Sequence, residues 1–69
     1  MDFVICINPG EEADLEARKL YQVLPDKDAD KVGYIRIVDE SGEDYLYPAK
    51  WFMPVPLPEE VKEVLLAQS

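Results

Sequence analysis

Residues 34–48 read YIRIVDESGEDYLYP, two β-rich runs joined by a short polar turn. Ser-Gly is a poor two-residue hairpin turn, since such turns prefer Asn-Gly or Asp-Gly. We therefore predict a three-residue loop, Glu40 to Gly42, with Gly42 left-handed as a bulge. This register places Asp39 opposite Glu43. It also pairs apolar side chains on one face of the hairpin: Ile37 with Tyr45, and Ile35 with Tyr47.

Four carboxylates cluster at the tip of this hairpin: Asp39, Glu40, Glu43 and Asp44. Paired carboxylates of a glycosidase flank a substrate-sized cleft, and a hairpin tip on a chain of 69 residues offers none. We expect these side chains to be solvated. The alternative is that they form a docking site for a basic partner.

Two further strands are predicted on the N-terminal side of the hairpin. Phe3 to Ile7 is rich in β-branched residues and stops at the Asn-Pro-Gly turn, and Lys19 to Leu24 ends at a proline. The acidic segment Glu11 to Arg18 between them is too short for a stable isolated helix, so we favour an irregular loop. Asp26 to Gly33 is predicted as a charged loop, with or without a single helical turn.

The C-terminal side begins with a turn at residues 49–51. Phe52 to Leu57 has proline at alternate positions, which predicts an edge strand or a polyproline-like segment. Pro58 to Gln68 is predicted as a helix with a proline and two acids at its start. Its face contains Val61, Val64, Leu65 and Gln68, and Leu66 falls outside it. That face either packs on the chain's own strands or mediates self-association.

Length and charge limit the classes of function. A chain of 69 residues fits a single domain, residues 1–69, and its net charge is −8. Nucleic-acid binding draws its affinity from clustered lysines and arginines, and an anionic membrane surface attracts the same residues. The seven basic residues here are scattered. We therefore expect neither nucleic acid nor membrane as a partner, and we expect a monomer or a weak homodimer.

Histidine is absent, and Cys6 is the only cysteine. The usual general base and the commonest zinc ligand are therefore missing. We predict no enzyme activity and no cofactor. Cys6 lies in an apolar strand, so we expect a buried, inert thiol, and a single cysteine fits a reducing, cytoplasmic compartment.

Residues 26–30, DKDAD, look like the opening of a calcium loop. Such a loop has glycine at its sixth position and glutamate at its twelfth. Here these positions hold Lys31 and Ile37. We therefore predict a solvated charged loop and no metal site.

Two segments resemble the Src-homology-3 family. Residues 16–24, EARKLYQVL, resemble its second strand, and residues 45–52, YLYPAKWF, resemble its fourth strand, turn and fifth strand. The resemblance implies a mostly β fold, a small five-stranded antiparallel barrel over about residues 3–57 with a C-terminal helix over about 58–68. The complete chain also resembles short bacterial proteins with a segment like residues 39–48, a group without an established activity.

The same resemblance implies a binding groove. By matching position, Leu46, Pro48 and Trp51 would face it, and Tyr34 loosely matches the groove tryptophan of the third strand. Tyr47 and Phe52 would be core residues. In the family, a loop at the position of residues 11–16 recognises an arginine of the ligand. The resemblance therefore implies that the acids Glu11, Glu12 and Asp14 of this loop contribute to binding.

Trp51 has two interpretations from the residues themselves. It is either a core residue, or it forms a partly exposed apolar patch with Leu46 and Pro48, edged by the acids of residues 11–16. The expected function is a non-catalytic protein–protein interaction module that docks on a basic or proline-rich partner. The alternative is an acidic accessory subunit or regulator of a larger complex, without a peptide groove.

Overall fold

The computed structural model describes residues 3–67. Over these residues the chain forms five strands, two α-helices and one 3-10 turn. In chain order they are β1 (Phe3–Cys6), β2 (Leu20–Leu24), α1 (Lys27–Lys31), β3 (Tyr34–Val38), β4 (Asp44–Pro48), the 3-10 turn (Ala49–Trp51), β5 (Phe52–Pro54) and α2 (Glu59–Ala67).

All five strands belong to one antiparallel sheet in the order β4-β3-β2-β1-β5. The mostly β, antiparallel architecture with a C-terminal helix is therefore confirmed. Within residues 3–67 no ladder joins β4 to β5, so the sheet is not closed. β5 lies at one edge of the sheet, which is the first of the two alternatives predicted for residues 52–57, and it ends at Pro54. Prolines cannot donate ladder hydrogen bonds, which accounts for its short length.

The register of the β3–β4 hairpin agrees with the prediction. Ile35 pairs with Tyr47 and Ile37 pairs with Tyr45. The amide of Asp39 donates to the carbonyl of Glu43 at 3.0 Å. Gly42 has a φ of +86°, the left-handed conformation that a three-residue loop requires.

The core lies on one face of the sheet. Because side chains alternate along each strand, every strand contributes to that face, and Leu15 adds a buried side chain from the loop after β1. Burying a large aliphatic side chain stabilises the fold by roughly 1.5–3 kcal/mol. The core residues are Val4, Cys6, Leu15, Tyr21, Ile35, Ile37, Tyr47 and Phe52. Cys6 is fully buried, and burial raises the pKa of its thiol.

Asp39 corrects the expectation that the carboxylates of the hairpin tip are solvated, because it is only 5% exposed. Its Oδ2 accepts a hydrogen bond from the Tyr47 hydroxyl at 2.6 Å. Its Oδ1 accepts from the Ser41 hydroxyl and from the Ser41 amide. Burial raises the pKa of Asp39, but these hydrogen bonds lower it by more, so the pKa lies below its ordinary value.

Asp26 accounts for the short helix α1 within the predicted loop. Its Oδ1 accepts from the Ala29 amide at 3.0 Å, which caps the helix, and Ala29 is buried. Its Oδ2 pairs with the guanidinium of Arg36, which also pairs with Asp44 at 2.9 Å. The cap hydrogen bond and Arg36 lower the pKa of Asp26. The residue that resembled a calcium ligand thus serves as a helix cap.

Helix α2 forms where a helix was predicted, but it buries none of its residues. Val61 and Val64 are 41% and 56% exposed, so of the two alternatives predicted for this face, close packing on the strands does not occur for these two residues. Leu66 is exposed, as its position off the stripe predicted, and Gln68 lies outside the described residues. Across residues 3–67, no helix has the length and apolarity that a membrane crossing requires.

Removing the Tyr47 hydroxyl should destabilise the fold, because Asp39 would stay buried with one donor fewer. Hydrogen bonds to charged groups contribute roughly 1.5–3 kcal/mol. We expect Tyr47→Phe to lower the free energy of unfolding by that amount in urea titrations. The control is Tyr45→Phe, whose lost hydroxyl donates to Glu43 from a half-exposed ring, and its urea midpoint should barely change. Equal losses in both variants would contradict a special role for the buried pair.

Acid should weaken the fold through Asp39. Because its folded-state pKa is depressed, the ionised carboxylate contributes stability above the unfolded-state pKa of about 3.9. That contribution is lost as the pH falls through the lower folded-state value. We expect the difference in unfolding free energy between the native chain and Asp39→Asn to be largest above about pH 5 and to shrink below about pH 4. A difference independent of pH would mean that the pKa of Asp39 is the same in the folded and unfolded chains, and this would contradict the prediction.

Candidate functional site

The loop between β1 and β2, residues 7–19, forms one wall of the candidate site. It opens with a turn in which Asn8 Oδ1 accepts from the Gly10 amide at 3.1 Å. Its middle is held by the buried side chain of Leu15. Its end is held by the Arg18 amide, which donates to the Cys6 carbonyl at 2.7 Å. As predicted, the segment is an irregular loop.

This loop is tied to the hairpin tip by backbone and side-chain bonds. The Glu40 amide donates to the Asp14 carbonyl at 2.9 Å. The Glu40 carboxylate accepts from the Tyr21 hydroxyl at 2.7 Å and from Lys19 at 3.0 Å. Burial and the hydrogen bond to Glu40 raise the pKa of Tyr21 to about 12. The loop and the hairpin therefore stand at a fixed separation.

An open depression of about 500 Å³ lies between the loop and the hairpin. We call it the acidic depression, because three of its lining residues are carboxylates and no lysine or arginine among residues 3–67 lines it. The lining consists of Glu12 and Asp14 from the loop, Ser41 and Glu43 from the hairpin tip, and Tyr45, Leu46 and Tyr47 from β4.

All of the charged side chains that line the depression are negative. The Tyr45 hydroxyl donates to Glu43 Oε2 at 2.9 Å, and this hydrogen bond raises the pKa of Tyr45. Burial and the hydrogen bond to Asp39 raise the pKa of Tyr47, and the charges of Glu12 and Asp14 raise it further. A concave site lined by one sign of charge raises the local concentration of ions of the opposite sign. The depression is thus suited to a cation.

Three of the binding residues predicted from the sequence lie together on the outer face of the hairpin: Tyr34, Leu46 and Pro48. Tyr34 is directly opposite Pro48, and Leu46 is opposite Arg36. Partners in an antiparallel pair share a face of the sheet. Tyr34 and Leu46 are 42% and 44% exposed. Leu46 also borders the acidic depression.

Trp51 lies elsewhere, half-buried beside the core. Its ring centroid is 6.3 Å from that of Tyr47, which leaves β4 from the face opposite to Leu46 and Pro48. On its other side the indole approaches Gly10, where an added Cβ would lie 2.9 Å from a ring carbon. Trp51 therefore packs between β4 and the turn after β1.

The predicted acidic residues of the loop also do not all lie at one site. Glu12 and Asp14 line the depression, whereas Glu11 is exposed and does not. The sequence did not indicate that Glu43 and Tyr45 would join them. Since side chains alternate along β4, the predicted register could have placed Tyr45 on the loop side of the hairpin. The position of the loop itself could not be predicted from its own sequence.

A second depression, of about 590 Å³, was not predicted from the sequence. It lies between the outer face of the sheet and α2. Its apolar lining consists of Phe3, Leu20, Val38, Leu65 and Leu66. It exists because α2 covers the sheet only in part. Over residues 3–67, no group of three acidic or cysteine side chains has a geometry suited to a metal ion.

Comparisons with family models, with curated proteins and with solved structures find no match to this chain. The resemblance to the Src-homology-3 family therefore stays a prediction.

The contact between Gly10 and Trp51 can be tested by adding one methyl group. Gly10 and Gly33 both have left-handed φ angles, +59° and +78°, but only the Cβ at Gly10 would meet a neighbour. Left-handed strain costs an alanine roughly 1–2 kcal/mol at either position. We expect Gly10→Ala to lose more stability than Gly33→Ala and also to shift the fluorescence of Trp51, the only tryptophan, to the red. Identical emission spectra would contradict the contact.

Proposed function

We propose that this chain is a non-catalytic protein–protein interaction module whose acidic depression binds a basic segment of a partner protein. The observation that carries the proposal is the lining of the depression. Glu12, Asp14 and Glu43 supply three carboxylates there, with Tyr45 half-exposed beside them. The chain has no histidine to act as a general base.

Arginine suits this lining better than any other side chain. Its planar guanidinium binds carboxylates through paired hydrogen bonds and also stacks on aromatic rings. Carboxylates and an exposed ring occur together where Glu43 adjoins Tyr45. Because the net charge is −8, the field of the whole chain also steers a basic partner toward it.

We also infer that the chain is a cytoplasmic bacterial protein with a Src-homology-3-like barrel. A proline-rich partner would use the outer face, where Tyr34, Leu46 and Pro48 offer apolar surface. The single buried thiol of Cys6 fits a reducing compartment.

A second function, that of an acidic accessory subunit in a larger complex, is favoured by α2. Val61, Val64 and Leu66 are all more than 40% exposed. Apolar side chains of this kind are typical of a surface that a partner covers. In this case the chain would be held through α2, and the acidic depression would not contribute.

The test neutralises the depression and measures the affinity for a labelled arginine-rich peptide by fluorescence anisotropy. The triple variant changes Glu12→Gln, Asp14→Asn and Glu43→Gln. Exposed ion pairs contribute roughly 0.2–1 kcal/mol each. Three of them at the middle of that range correspond to a weakening of about twentyfold, which is the result we expect.

The control removes the same charge away from the depression, with Asp28→Asn, Glu60→Gln and Glu63→Gln on the two helices. At physiological salt its affinity should stay within about threefold of the native chain, because distant charges are screened. Equal weakening in both triple variants would show that only overall charge attracts the peptide. Unchanged binding in the depression variant would favour the accessory-subunit function.

A further inference from the structure

Strand β4 lies at an edge of the sheet, and within residues 3–67 no strand pairs with it on the side away from β3. An edge strand presents unpaired backbone N–H and C=O groups, which another chain can use for pairing. β4 has five residues, Asp44–Pro48, enough for several such groups.

The hydrogen bonds at both ends of the hairpin identify which groups face outward. The Asp39 amide donates to the Glu43 carbonyl, and the Ala49 amide donates to the Gly33 carbonyl. Hydrogen-bonded and non-bonded pairs alternate along an antiparallel ladder. Counting from either end, Tyr45 and Tyr47 bond to β3. The N–H and C=O groups of Asp44 and Leu46 therefore point away from the sheet.

The opposite edge of the sheet is protected. β5 has only three residues, Phe52–Pro54, and its last is a proline without an N–H. Short edge strands and prolines are the usual means of blocking an edge. β4 has a proline only at its last position, Pro48, so its free donors at Asp44 and Leu46 are unblocked.

The open edge of β4 borders the acidic depression. Tyr45, Leu46 and Tyr47 belong both to this strand and to the lining of the depression. Glu12 and Asp14 stand across the depression from them. A chain lying along β4 would therefore have carboxylates beside its backbone on one face of the sheet, and the apolar residues Leu46 and Pro48 on the other face.

We propose that the partner's basic segment binds as an additional antiparallel strand on β4. This inference rests on the proposed function and specifies its mode of recognition. Strand addition combines backbone hydrogen bonds with side chains that point alternately to the two faces. Residues opposite Tyr45 and Tyr47 point into the acidic depression, so these are arginine or lysine. Residues opposite Leu46 lie on the outer face and are apolar.

Charge argues for a basic partner rather than a second copy of the same chain. Each copy has a net charge of −8. Two copies therefore repel each other as they approach, most strongly at low ionic strength. A basic segment is instead attracted to this edge.

The decisive variant is Leu46→Pro, because it deletes an outward N–H without deleting a hydrogen bond to β3. Proline is tolerated on the free side of an edge strand. We expect binding of a synthetic peptide that alternates arginine with valine to fall by more than tenfold. The control Leu46→Ala keeps the N–H and should lose only a few-fold. Circular dichroism and urea titration show whether both variants keep the native fold.

A second measurement uses the native chain and therefore does not depend on the folding of a variant. In an antiparallel added strand, the valine amides face β4 and the arginine amides face away. N-methylation of the valine amides should abolish binding, and N-methylation of the arginine amides should leave it nearly unchanged.

The outcomes separate this inference from the proposed function. If the arginine–valine peptide binds and the depression triple variant weakens it, but Leu46→Pro equals Leu46→Ala and both methylated peptides bind alike, strand addition is wrong and the acidic site stands. If the unmodified peptide does not bind at all, both proposals fail. Formation of dimers at high concentration that Leu46→Pro abolishes would show that a second copy occupies the edge, and this too would overturn the inference.

Discussion

The buried hydrogen bond between Tyr47 and Asp39 is the contact on which the candidate site depends. Asp39 directly follows β3, and its carboxylate joins the core to the turn by accepting from Tyr47 and from Ser41. The turn then presents the Glu40 amide to the carbonyl of Asp14. A buried carboxylate requires all of its donors, so the geometry of the tip has little freedom. The acidic loop is fixed in turn by the tip that it meets.

This arrangement explains how a sheet with little core can hold a shaped surface. The loop after β1 is long and polar, and such loops are usually mobile. Here Leu15 inserts into the core, and Glu16 donates its amide to the Tyr21 hydroxyl at 2.7 Å. Tyr21 donates to Glu40 in turn. Two core tyrosines, Tyr21 and Tyr47, therefore use their hydroxyls to position the walls of the acidic depression.

Local pattern was sufficient to predict much of the fold. Loop length and alternation determine the β3–β4 register, and the left-handed Gly42 follows from the same chemistry. The burial of Asp39 could not be predicted, because it depends on the hydrogen bond from Tyr47 and on the geometry of the turn. From composition alone, a turn rich in carboxylates is expected to be solvated. The acidic depression requires a contact between Asp14 and Glu40, far apart in sequence. Periodicity carries no information about which loop meets which turn.

The negative charge of the chain limits which partners can pair with the open edge of its sheet. An unpaired strand such as β4 invites copies of the same chain to join it, and proteins block such edges with charge, proline or a bulge. On β5 the block is Pro54. On β4 the edge is blocked by the charge of carboxylates, which acts differently from proline. Proline excludes every partner, whereas Glu43 and the other carboxylates of the acidic depression exclude acidic chains and admit basic ones. An edge protected by charge alone is therefore selective, and its selectivity has the sign that the acidic depression beside it requires.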